Sequence, residues 1–225
     1  MEKTKMSIAK RFGKVIISPG KAFADIVENP RILWPGLVII VINLALTLLV
    51  MSETKAFTEQ LLLARGMSQD QIASAMKFVL PGEIASSIFT FPLIWLVMAV
   101  ILAFYNQLSV GEAHFKQLYS VAVFAWIPSV IKALIFTGLI KTMGYKAALQ
   151  VSTSLAIFLG NTDTSSFLYR LMKNIDLFNI WGLILLIMGG SIAMKKKPKG
   201  LALFMGAIWL VYVVVVSLLI KTPVV

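Results

Sequence analysis

The chain has 225 residues, of which 59% are hydrophobic and only 14% charged, with a mean hydropathy of +0.88. A soluble domain of this length cannot hide that much apolar surface, and its concentration in long runs places the chain in the membrane class. The net charge of +11 lies beside those runs, which points to anionic lipid headgroups and to membrane topology rather than to nucleic acid, and the absence of cysteine excludes disulfides, thiolate chemistry and Cys-ligated zinc.

Residues 1–32 are expected to form a basic cytoplasmic arm with short interfacial helices, ahead of a membrane domain over 33–225. The arm carries Lys3, Lys5, Lys10, Arg11, Lys14, Lys21 and Arg31. Its first piece, 7–17, mixes Lys10, Arg11 and Lys14 with Ile8, Phe12, Val15 and Ile16. A second piece starts at Ser18-Pro19, with serine as N-cap and proline at the first helical position, and ends before Pro30. There Phe23, Ile26 and Val27 share one face. This pattern suits a basic amphipathic arm lying on the anionic inner leaflet, with a solvated topology signal as the plainer alternative. About thirty polar residues precede the first apolar run, so an uncleaved first span is expected rather than a signal peptide.

Five segments are long enough to cross a bilayer, which takes roughly 20 residues. They are 33–51, 84–105, 118–140, 177–194 and 201–220, and they predict an all-α polytopic fold. In the link 52–83, Ser68 and Gln71 form a capping box and Met67 and Ile72 a hydrophobic staple. That predicts a helix over 69–79, stopped by Pro81-Gly82, as an ordered lid. The third span carries Lys132, the one charge inside a span, four residues after Pro128. A charge at that depth is a functional hypothesis by default. Its expected partners are Glu83 and Asp176, at the outer starts of spans two and four, and snorkelling is the plainer reading. Asn43 is a weak polar companion. Ala125, Ser129 and Ala133 repeat at four-residue spacing, a small-xxx-small pattern that favours close helix packing; Ala202 and Gly206 repeat it once.

Segment 147–159 is apolar but has only thirteen residues. It is expected to be interfacial or re-entrant, with a sixth span as the alternative. A polar turn at 160–163 follows, with Asp163 expected to cap a helix reaching Lys173. The basic link Lys195, Lys196, Lys197, Pro198, Lys199 belongs inside with the arm, which places the N-terminus in the cytoplasm and the C-terminus outside.

No motif carries chemistry. His114, the single histidine, stands in a short inner link beside Glu112 and is expected to be solvated. There is no HExxH, no Gly-rich phosphate loop and no G-x-S-x-G elbow. No enzyme activity, cofactor or metal is expected.

The chain resembles the Yip1 family of five-span membrane proteins, in its bacterial branch. The resemblance rests on Ser18-Pro19-Gly20-Lys21-Ala22-Phe23, on Trp126-Ile127-Pro128, and on Asp176-Leu177-Phe178-Asn179-Ile180-Trp181, and it covers most of 15–220. It implies a non-catalytic scaffold or accessory protein of the bacterial cytoplasmic membrane that supports another membrane protein, such as an ABC-type exporter, or a second copy of itself. Eukaryotic members are linked to small GTPases and carry an Asp-Leu-Tyr-Gly-Pro motif. This chain lacks that motif, so a GTPase partner is not expected. The alternative is a small transporter or channel using Lys132.

Overall fold

The computed structural model describes residues 6–160, 163 and 165–219. The expectations for Lys3, Lys5, Asn161, Thr162, the end of the fifth span at Ile220 and the C-terminus lie outside them. In chain order the helices are α1 (Ile8–Ile17), α2 (Pro19–Glu28), α3 (Leu33–Leu49), α4 (Met51–Ala64), α5 (Gln69–Leu108), α6 (Phe115–Ala125), α7 (Ile127–Met143), α8 (Tyr145–Gln150), α9 (Phe167–Asn174), α10 (Leu177–Met194) and α11 (Pro198–Leu219). A short 3-10 turn covers Leu155–Leu159. Among the described residues there is no strand, only one antiparallel bridge between Ser154 and Asp176. The chain is an all-α polytopic membrane protein. Four stretches are each long and apolar enough to cross a membrane: α5, α6 with α7, α10 and α11. A fifth passes together as α3 and α4, bent by 61° at Val50.

Helix starts follow local chemistry closely. Ser68 N–H donates to Gln71 Oε1 at 2.9 Å and Gln71 N–H to Ser68 Oγ at 3.4 Å, the predicted capping box, while Ile72 is buried. Asp176 caps α10, its Oδ1 accepting from Phe178 and Asn179 N–H at 2.9 and 3.3 Å. Two expected caps differ. Pro19 does open α2, but the Ser18 side chain makes no cap bond, because Ser18 also closes α1 through its N–H to Lys14 O. The cap of α9 is Ser166; Asp163 stands before it and accepts from Ser165 N–H and Oγ.

The predicted stop at Pro81-Gly82 is wrong: α5 runs 40 residues through both Pro81 and Pro92. An interior proline costs about 3 kcal/mol, yet at Pro92, inside the span, unwinding next to lipid leaves several backbone groups unsatisfied, each costing comparably. The continuous helix is therefore the cheaper state. At 1.5 Å per residue α5 is about 60 Å long, roughly twice the hydrocarbon core, so the lid helix and second span are one rod. The proline of the third span does break its helix. Trp126 separates α6 from α7, and Trp126 N–H to Val123 O and Ser129 N–H to Trp126 O close three-residue bonds around Pro128. Segment 147–159 is no sixth span. It divides into α8, an extended stretch, and the 3-10 turn, whose Ile157 and Phe158 are exposed as an interfacial segment requires.

Two compact units result. The first takes the described residues of 1–32, 96–129 and 152–225; the second takes 33–95 and 130–151. In the first, α2 packs on α6 and α10. A Cβ on Gly189 would lie 2.7 Å from the Phe23 ring and 2.6 Å from Val121 Cγ1, and one on Gly190 2.9 Å from Leu201. This glycine pair lets four helices meet at one level. In the second, Trp95 is buried against Gly36, 3.1 Å from its virtual Cβ, and stacks on Phe91.

Candidate functional site

Three places hold charge or polar groups in an organised way. The first is the arm, within the first unit. Arg11 is fully buried. Its Nε donates to Asp25 Oδ2 at 2.6 Å, Nη1 to Asn29 O at 2.9 Å and Nη2 to Asp25 O at 3.3 Å; Met6 N–H completes the carboxylate at 3.1 Å. The last carbonyls of a helix have no partner of their own. In α2 they are taken by Arg11 and by Gln117, whose Nε2 donates to Val27 O at 3.0 Å. Ser120 Oγ donates to Arg31 O at 3.0 Å, and Phe12 packs on Phe124 with centroids 5.4 Å apart. The expected lipid face of α2 is thus a protein face, with Phe23 and Ile26 fully buried; Ile16 and Ile17 of α1 remain exposed. The pairing had one sequence signal, an arginine and an aspartate on successive short helices.

The second place is the third span. In the second unit Lys132 is half-buried on α7, its Nζ 5.9 Å from the centroid of the Phe136 ring one turn on. Ala133 and Ser129 are half-buried, while Ala125 and Pro128 are buried. Ala125 makes a close approach, its carbonyl oxygen 3.3 Å from a virtual Cβ on Gly182, whereas Gly206 has nothing within 4 Å. Glu83 is exposed on α5 and lies near Tyr145, whose hydroxyl pKa is pushed up by burial and by that carboxylate. In the first unit Asp176 is buried and accepts Thr153 Oγ1 at 2.5 Å besides its two cap bonds. It thereby ties the Ser154 bridge to the start of α10. Asn43 gives its amide to Ile39 O of its own helix at 2.9 Å.

The third place was not anticipated. In the second unit, Glu53 of α4 pairs with Lys141 of α7 at 2.6 Å and Phe57 stacks on Tyr145 at 4.7 Å, beside an open cleft of about 490 Å³. Ser52 Oγ donates a second hydrogen bond to Glu53 at 2.7 Å. His114 lies at the start of α6, where its N–H donates to Gln117 Oε1 at 2.8 Å. Among the described residues no three His, Cys, Asp or Glu side chains gather as metal ligands do.

The organised groups therefore join helices to one another. The sequence was also compared with known proteins. No curated protein and no solved structure matches the chain. The family model of the Yip1 domain matches residues 13–220, from within α1 through the last helix. This multi-pass membrane chain belongs to the Yip1 domain family.

Proposed function

We propose that the protein is a non-catalytic scaffold or accessory subunit of the bacterial cytoplasmic membrane, with its N-terminus inside, which binds or supports another membrane protein. An ABC-type exporter is the partner class the family resemblance suggests. The observation that carries this reading is the direction of the polar side chains in the spans. Asn43 bonds to Ile39 O, Ser191 to Ile187 O and Ser217 to Val213 O, each within its own helix. A transporter needs polar groups that converge on a substrate near mid-membrane. These hydroxyls and this amide are already satisfied locally and offer a solute little.

Purification of the tagged chain from its own host in native detergent tests this. A second membrane protein should co-purify in fixed proportion, and its melting temperature should fall in cells lacking the scaffold. Lys132 separates the alternative. On the scaffold reading Lys132→Met keeps the fold and leaves partner binding intact, since a buried ammonium carries a desolvation cost that methionine does not. If the chain purifies alone, and liposomes show a solute flux that Lys132→Met abolishes, it is a transporter.

A further inference from the structure

On the first unit, the membrane-spanning helices α10 and α11 enclose a groove of about 530 Å³. Its floor is a single stripe of α10 at helical spacing: Ile184, Ile187, Met188, Ser191 and Ile192. Ser191 is buried and its hydroxyl is bonded to Ile187 O at 2.7 Å, so the floor is effectively apolar. Ala202 of α11 forms the other wall, and its small side chain leaves the space open. At one end the groove is closed by Lys195 and Lys196.

The geometry points to a binding site for one anionic phospholipid, with an acyl chain in the groove and the headgroup phosphate at the lysine turn. Length fits. Ile184 to Lys195 spans eleven residues, about 16 Å, against roughly 15 Å for the hydrocarbon of one leaflet. Charge fits. Lys195 is engaged by Glu112 at 2.7 Å, but Lys196, Lys197 and Lys199 are exposed and make no ion pair among the described residues. One carboxylate therefore faces four cations. The turn is also held in place. Lys195 adopts a left-handed φ of 55°, Lys196 N–H donates to Ser191 O at 3.0 Å, and Glu112 N–H donates to Met194 O at 3.3 Å. Pro198 opens α11 there, so the positive end of that helix adds to the field an anion meets. Free phosphate would satisfy the lysines and ignore the groove; only a lipid uses both.

The test is native mass spectrometry of the full chain, loaded separately with phosphatidylglycerol, with phosphatidylcholine of the same acyl chains, and with inorganic phosphate. Phosphatidylglycerol should be retained selectively. The combined variant Lys196→Gln, Lys197→Gln, Lys199→Gln should lower retention by about tenfold or more, since each cation near an anionic surface contributes to the attraction. Ala202→Phe, which fills the groove with every lysine in place, should lower it as well. Because the three lysines are exposed, the triple variant stays informative even if Ala202→Phe folds poorly. Equal retention of the two lipids, or full retention by the folded variants, overturns the site. Competition by inorganic phosphate overturns it in favour of a simple anion site. A lipid-independent dimer abolished by Ala202→Phe would assign the groove to a second copy of the chain instead.

Discussion

A guanidinium withdrawn from water needs a partner for each face of its fork, and Arg11 has them in Asp25 and the end of α2. Three donors on a rigid plane reach one carboxylate and two carbonyls, which an ammonium cannot imitate. Removing one member of a buried pair strands the other and costs about 3–5 kcal/mol. Asp25→Asn should therefore lower the melting temperature in detergent and expose the arm to protease, and Arg11→Lys should restore little of Arg11→Met. A negligible shift for Asp25→Asn would mean that the arm is held by Phe23 and Ile26 alone. The Glu53–Lys141 pair is a contrasting case, because both side chains are about one-third exposed. Such a pair contributes little, so Glu53→Gln should lower the melting temperature only slightly, and by less in high salt. A loss independent of salt would assign Glu53 a packing role only.

Helices obey the sequence where local chemistry decides and depart from it where the surroundings decide. The capping box at Ser68 was legible, because it needs only neighbours along the chain, whereas Asp176, read as a partner for Lys132, caps α10. The passage of α5 through Pro92 was not legible, since it depends on what the backbone would meet if it unwound. Packing shows the same division. Four-residue spacing drew attention to Ala202 and Gly206, but Gly206 has open space around it, while the adjacent pair Gly189 and Gly190, which no periodic search picks out, is closely covered by Phe23, Val121 and Leu201. The two kinds of glycine should behave oppositely. Gly189→Ala drives a methyl into Phe23 and Val121 and should cost about 1–3 kcal/mol, the usual penalty of overpacking. Gly206→Ala meets nothing within 4 Å and should be neutral or gain up to about 1 kcal/mol of helix propensity. Thermal melts of the two purified variants compare them directly, and equal losses would contradict the close approach at Gly189.

Charge counting predicts that the arm and the α10–α11 turn share one side of the membrane, and contacts within the first unit place them at one end independently. The arm bonds to the start of α6 through Gln117 and Ser120, so it lies at the same end as the link between α5 and α6. Two ends on one side require an even number of crossings between them. Between them in the chain lie α5 and the bent α3–α4 pair, so parity predicts that this pair supplies one span. The Glu112–Lys195 pair then places the α10–α11 turn at that same end. Between them run α6–α7 and α10, again an even number, which leaves no room for a crossing by 147–159. Five spans are thus the count that these three polar contacts and parity predict. Since the chain has no cysteine, single cysteines report cleanly on sidedness. His114→Cys and Lys197→Cys should react with a membrane-impermeant maleimide only after cells are opened. Lys173→Cys, exposed on α9 on the far side of α10, should react in intact cells. Reaction of Lys197→Cys from outside, with His114→Cys still protected, would restore a crossing at 147–159 and break the five-span fold.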